Sequence, residues 1–278
     1  GTESSATGST NGSQSYVAWG WKAGGSKNTH NVDDLGYASA AAAGLDGGSI
    51  TPTGASVGTK QGFSIIKFDS GSSGNKTLSH GLSETPTFIM VKTTGATSDW
   101  SVYHKDLGGN VNNYLVLNTN AANASATNIW GAAVPTSSVF GIKSGTTCAT
   151  DEDVIAYLWH DVPGLQKFGK YEGNAEPTDG NYVHLGFRPA ILIIKDIDST
   201  GYWYITDSER NPTNDTTTSY VWANANTAEQ NDYSVDLLSD GFDLRASSGN
   251  LNATRTYIYM AWAEAPSVDL YGGGANAR

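Results

Sequence analysis

One stretch of this chain is written twice. His80-Gly81-Leu82, followed by Pro86 and the apolar run Thr87-Phe88-Ile89-Met90-Val91-Lys92, returns as His184-Leu185-Gly186, Pro189 and Ala190-Ile191-Leu192-Ile193-Ile194-Lys195. A shift of 103 positions carries Pro86 onto Pro189, Lys92 onto Lys195, Trp100 onto Trp203, Ile155 onto Ile258, Trp159 onto Trp262 and Pro163 onto Pro266. Slightly different shifts, absorbed by loop insertions, carry Tyr114 onto Tyr220, Asn118 onto Asn224 and Phe140 onto Phe242. A unit of about a hundred residues is too long to be a solenoid repeat that leans on its neighbours, and long enough to close a core of its own. Whatever this chain folds into, it must therefore build the same core twice.

The repeated unit reads as β-structure. Phe63 to Phe68, Thr87 to Lys92, Trp100 to His104, Tyr114 to Asn118, Val139 to Lys143 and Val154 to His160 are short runs rich in β-branched and aromatic residues, bounded by Gly, Asn, Ser or Pro. The second unit supplies Gly169 to Tyr171, Ala190 to Asp196, Trp203 to Asp207, Tyr220 to Asn224, Phe242 to Arg245 and Thr256 to Ala263. Phe88 to Val91 and Ile191 to Ile194 are apolar at every position, so they are predicted central strands buried on both faces, by the facing sheet and by a loop or neighbour. Only Ala38 to Leu45 is Ala-rich enough for a helix, which Gly44 would end within about two turns.

The expected architecture is all-β: two tandem homologous, jelly-roll-like β-sandwich domains at 61–163 and 164–266, with a linker at 26–60 and a tail at 267–278. Tyr16-Val17-Ala18-Trp19-Gly20-Trp21 reads like the ends of the two units, placing Trp21 in the position of Trp159 and Trp262. Residues 1–25 are accordingly read as the terminal strand of a preceding repeat, or as a strand docked on the first complete one.

A net charge of -11 argues against nucleic acid, whose recognition needs clustered Lys and Arg. No run of 18 apolar residues could span a bilayer, and the opening GTESSATGSTNG lacks the basic and apolar regions of a signal peptide. A single cysteine, Cys148, excludes an internal disulfide and a cysteine-rich zinc site, and reads as a small buried hydrophobe.

Motifs for chemistry are missing together. There is no HExxH or HxxxH ligand spacing, no GxSxG elbow, no phosphate-cradling GxxxxGK[ST] and no calcium loop, so no catalytic residue, metal or cofactor is assigned. His80 and His184 look like structural residues before a turn. Acidic groups at Asp33-Asp34, Asp151-Glu152-Asp153, Asp196 with Asp198, and Asp207 with Glu209 could supply the paired carboxylates of a glycosidase, but read as solvated loop charge. Trp100, Trp159, Trp203 and Trp262 recur and read as core pillars. Aromatics present in one copy only, Trp130, Tyr202, Tyr204 and Trp222, are freer to lie outside the shared core, where rings can stack on sugar faces. Tyr202 and Trp203, with Tyr204 just before Asp207, Glu209 and Arg210, make that loop the candidate ligand site, together with Trp222 and Trp130.

The phrases Ser79-His80-Gly81-Leu82 through Pro86, Pro135-Thr136-Ser137-Ser138-Val139-Phe140, Lys167-Phe168-Gly169-Lys170-Tyr171, Gly186-Phe187-Arg188-Pro189 and Tyr257-Ile258-Tyr259-Met260-Ala261-Trp262-Ala263-Glu264-Ala265-Pro266 resemble the tandem domains of tail fibre proteins of tailed, notably marine, bacteriophages. The ending Leu270 to Arg278 is similar to the C-terminus of such proteins, and the resemblance covers residues 16 to 278. It implies a non-catalytic virion appendage, a homotrimer attached to other tail proteins, that contacts a glycan or protein on the host surface. A bacterial adhesin or carbohydrate-binding module would share the fold and aromatics, and a polysaccharide-degrading tail spike would add a carboxylate pair in a groove.

Overall fold

A computed structural model describes residues 16–233, 235–247 and 249–264. The expected tail at 267–278, with Pro266, lies outside the described residues, as do residues 1–15. Among the described residues there are twenty strands and no helix.

The first half comprises β1 (His30–Val32), β2 (Leu35–Tyr37), β3 (Gly54–Gly58), β4 (Phe63–Asp69), β5 (Gly74–Ser79), β6 (Phe88–Thr93), β7 (Trp100–His104), β8 (Asn113–Val116), β9 (Ala124–Ser125), β10 (Val139–Ser144) and β11 (Asp153–Trp159). The second comprises β12 (Gln166–Glu172), β13 (Tyr182–His184), β14 (Ile191–Asp196), β15 (Tyr204–Asp207), β16 (Thr218–Trp222), β17 (Gln230–Tyr233), β18 (Val235–Leu238), β19 (Gly241–Leu244) and β20 (Thr256–Trp262). The large sheet of the first half runs β2-β1-β3-β4-β11-β6-β7-β8-β9 and faces the pair β10-β5; that of the second runs β12-β20-β14-β15-β16-β17 and faces β13-β19-β18.

The duplication is written into the register. Trp159 lies opposite Phe63 and Phe88, and Trp262 opposite Gln166 and Ile191; Lys92 lies opposite Trp100, and Val102 and Ile205 lie opposite Leu115 and Val221. In the order β4-β11-β6-β7-β8-β9, each strand has its counterpart in β12-β20-β14-β15-β16-β17. One expected correspondence is corrected. Leu78 and Val183 both lie opposite the paired phenylalanines, Phe140 and Phe242, so His184 matches Ser79, and His80 matches Leu185. The conserved feature of that turn is conformational: Gly81 and Gly186, next along, have φ of 71° and 85°, a region that a side chain resists.

Alternation along the central strands explains why they are apolar throughout. Ile66, Phe68, Ile89, Val91, Val154, Ala156 and Leu158 point into the core of the first half, and Leu192, Ile194, Tyr204, Tyr220, Tyr257, Tyr259 and Ala261 into that of the second. The intervening residues, Phe63, Phe88, Val102 and Trp159 on one side and Trp203, Ile258, Met260 and Trp262 on the other, form a third apolar cluster shared by both halves. The neighbour that covers each central strand is thus the other copy, and the two units are fused through their outer faces.

Two further expectations give way. Residues 26–60 are no loose linker: β1, β2 and β3 extend the first sheet, and Ala55 and Val57 are buried in its core. Asp33 and Asp34, with φ of 50° and 66°, form the two-residue turn between β1 and β2, a geometry that demands left-handed residues at both central positions. The Ala-rich stretch makes one turn rather than a helix. Ser39 Oγ accepts from the Ala42 amide, Leu45 N donates back to the Ala40 carbonyl, and Gly44 closes the turn at φ 69°. Residues 16–22 join no sheet among the described residues.

Candidate functional site

The structure separates the candidate aromatics into buried and exposed sets. Trp130 is fully buried, its Nε1 donating to the Asn113 carbonyl at 2.8 Å and its ring edge-on to Tyr103. Trp203 and Tyr204 are equally buried, and Asp207 is 1 % exposed. These four are corrected as surface contacts. The inference from single occurrence failed because two copies of one core can be filled by different rings: Tyr204 takes the register position of Ser101, and in the first half Trp130 enters the core from the segment after β9. Arg210 is committed to its neighbours. It pairs with Asp207, lies 2.8 Å from Glu229, and its guanidinium sits 5.4 Å above the Trp19 ring.

Tyr202 and Trp222 remain accessible and meet. Tyr202 is 40 % exposed and its ring lies 5.1 Å from that of Trp222, inclined at 34°. The alternation Tyr220-Val221-Trp222 on β16 puts both aromatics on the inner side of the sheet, where Trp222 meets Tyr220 edge-on at 4.7 Å and Tyr220 stacks on Tyr233 at 5.2 Å and 15°. A row of rings thus runs from the exposed Tyr202 inward across the sheet edge. Asn250 ties its ends, accepting from the Tyr202 amide at 3.4 Å and donating to the Tyr233 hydroxyl at 3.1 Å, while Asn224 Oδ1 accepts from Trp203 N at 2.9 Å.

Beside Tyr233 opens a polar groove of about 440 Å³, lined by Pro177, Thr216, Asp232 and Arg245 among others. Tyr220 donates its hydroxyl to Asp232 at 2.5 Å; burial, reinforced by that carboxylate, pushes its phenol well above the usual range and keeps it a donor. Arg245 is held at 2.5 Å by Asp236 and donates to the Asp215 carbonyl at 3.3 Å. Rings that offer flat apolar faces, next to amide, carboxylate and guanidinium groups, form a surface suited to a polyhydroxylated ligand. Tyr220, Tyr233, Asn250, Asp232 and Arg245 were missed from the sequence; the two-residue spacing of Tyr220 and Trp222 was the signal available, since it places them on one face.

Several other titratable groups are held by partners within the fold. Asp196, expected as solvated charge, is 0 % exposed, paired with Arg255 at 2.9 Å and accepting the amides of Asp198 and Ser199. Asp207 accepts from Arg210 N at 2.9 Å, and Asp33 accepts from the amide and hydroxyl of Thr59. His80 is 0 % exposed and holds both ring nitrogens in bonds, Nδ1 accepting from Leu82 N at 3.1 Å and Nε2 lying 3.1 Å from the Thr136 carbonyl. Burial lowers its pKa to about 4, so it stands neutral, with the proton on Nε2.

A family model described as a domain of unknown function (DUF7483) matches residues 1–266. No curated protein and no solved structure matches the chain.

Proposed function

Because the chain belongs to the DUF7483 family, a description that carries no activity, its role has to be argued from its own residues, and we propose that it is a non-catalytic, host-surface-binding part of a bacteriophage tail fibre. The binding half of this reading is carried by one observation: an exposed tyrosine laid over a partly buried tryptophan, backed by buried Tyr220 and partly buried Tyr233 and adjoining a polar groove. Large rings held rigid by their neighbours lose little entropy when a ligand arrives, which is why Tyr and Trp dominate the energetics of such contacts. A saccharide ring would lie against Tyr202 and Trp222, with its hydroxyls toward Asn250, Asp232 and Arg245.

The tail-fibre half rests on the resemblance of the tandem phrases, and with it go the homotrimer, the other tail proteins as partners and a location on the virion. The non-catalytic reading is likewise a proposal, supported by Asp207 being paired with Arg210 and Asp232 being bonded to the Tyr220 hydroxyl. The test is an array of purified bacterial surface polysaccharides probed with the chain. Binding that Tyr202→Ala and Trp222→Ala each weaken at least tenfold supports the reading; binding that neither variant alters removes this site, and release of shorter saccharides removes the non-catalytic reading.

A further inference from the structure

The junction between the halves is head-to-tail, and it leaves two complementary surfaces unmatched. Trp203 of the second half donates its indole N–H to the Val116 carbonyl of the first at 3.1 Å, and the loop before it is bonded through Ile197 O to Asn123 N and through Gly201 N to Asn120 O. Among the described residues none of this is reciprocated. Trp100, the counterpart of Trp203, is partly exposed and stacks on its own Tyr157 at 6.3 Å. Ile155 and Tyr157 are partly exposed where their counterparts Ile258 and Met260 are 0 % exposed, and Val221 is partly exposed where Leu115 is 1 % exposed. The first half thus keeps a free copy of the surface that the second half has used, and the second keeps a free copy of the surface that the first has used.

An apolar cavity of about 360 Å³ lies between these free surfaces, walled by Ile65, Met90 and Tyr157 on one side and Ile205 and Ala223 on the other. Residues 16–22 reach into it. Trp21 meets Trp262 at 5.3 Å and Trp159 at 6.3 Å, and those two are 6.0 Å apart; the interplanar angles are 73°, 72° and 67°. Three tryptophans that share one position in the repeat therefore form a nearly equilateral, edge-to-face triangle. Two residues earlier in each strand, Trp19, Tyr157 and Met260 line the same cavity. The indole N–H groups of Trp19, Trp159 and Trp262 are buried without an acceptor, whereas that of Trp203, in the junction already made, has one from the other half.

A head-to-tail contact closes into a ring when its rotation divides the circle, and the tryptophan triangle has the geometry of a three-fold axis. We propose that the cavity is the seat of a third copy of this sandwich, carried on the same polypeptide with residues 16–22 as its closing strand, so that three copies close a pseudo-three-fold ring. That copy lays the equivalents of Val102 and Leu115 against Trp100, Ile155 and Tyr157, and its own equivalent of Trp203 against Ile205 and Val221. The surfaces concerned are the outer faces of the large sheets; the ring row of Tyr202 and Trp222 lies against the inner face, so this inference and the saccharide site stand or fall separately.

Cysteine accessibility tests it. Cys148 is buried and its thiol is pushed up to about 12, so an introduced thiol is the reactive one. Met90→Cys on one wall and Ala223→Cys on the other are labelled with a maleimide in the 278-residue chain and in the protein as its natural source produces it, with exposed Ser137→Cys as control. The expected result is labelling at least tenfold slower at both walls in the naturally produced protein, with equal rates at residue 137. Equal rates at the walls, or protection of one wall only, overturn the proposal. So does protection within the 278-residue chain that grows with protein concentration, which would give the seat to a second chain.

Discussion

Replacing Trp203 should cost far more than replacing Trp100, although the repeat makes them equivalent. Trp203 is fully buried in the shared cluster and its Nε1 is bonded to Val116 O across the junction. Truncating a buried Trp to Ala typically costs ~3–5 kcal/mol through lost transfer energy and the cavity left behind. The Val116 carbonyl also loses its donor, which in a buried place puts the total near the upper end of that range. Trp203→Phe retains most of the packing and isolates the bond, at ~1–2 kcal/mol. Trp100 is partly exposed and stacks on Tyr157, so Trp100→Ala should cost ~1–2 kcal/mol. Urea unfolding at 25 °C, followed by far-ultraviolet circular dichroism with m held common, reads the difference as separated midpoints. Equal losses for the two alanine variants, or a Trp203→Ala cost below ~1 kcal/mol, would refute the head-to-tail junction as the place where the second half is held.

Other consequences follow from burial. His80 has its pKa lowered from 6.5 to about 4, so its folded form binds a proton less readily than the unfolded chain; the stability it contributes is complete above pH 6.5 and lost as pH falls toward 4, up to ~3 kcal/mol in all. Buried His104, lowered to about 3 chiefly by desolvation, adds to the same loss with the same sign. His80→Asn should flatten the stability profile between pH 6.5 and 4, and an unchanged slope would show that other groups set it. Cys148 should resist thiol reagents at pH 8 in the native chain and react at once in denaturant, and rapid native labelling would contradict its burial. Asp196→Ala leaves Arg255 and two loop amides without their acceptor; a loss of ~2–4 kcal/mol in thermal or urea unfolding is expected, and a loss under ~0.5 kcal/mol would mean that the pair is dispensable.

Much of the fold was legible because burial on both faces leaves a mark in sequence. Phe88 to Val91 and Ile191 to Ile194 can be apolar at every position only if something covers the second face, and the structure supplies the other copy. Trp159 and Trp262 could be aligned from spacing alone, and their registers agree. What escaped notice was short or compensated. β1 and β2 are three residues each, built on His30-Asn31-Val32 and Leu35-Gly36-Tyr37, too brief for alternation to register, so residues 26–60 read as a linker. Ser79 and His184 share a position, yet the neighbouring His80 invites a false match one residue out, which only pairing with Phe140 and Phe242 corrects.

The candidate site was half legible for a related reason. Tyr202 and Trp222 were found as unrepeated aromatics, but Trp130 and Tyr204 are unrepeated too and fill cores. Sequence reports that a ring differs between copies; whether it differs because it reaches solvent or because the core is filled another way depends on volume, which only packing defines. Tyr233 and Asn250 lie 11 and 28 residues beyond Trp222, so nothing local in the sequence brings them to the same edge.

The reading that this edge binds a surface saccharide is met most directly by nuclear magnetic resonance. The labelled chain is titrated with whichever bacterial polysaccharide it retains on the array, and the indole signal of Trp222 and the backbone amides of Tyr202 and Tyr233 are followed. The account predicts saturable shifts concentrated at those three residues, with the polysaccharide recovered intact. Shifts centred elsewhere, or a shortened polysaccharide, would contradict it.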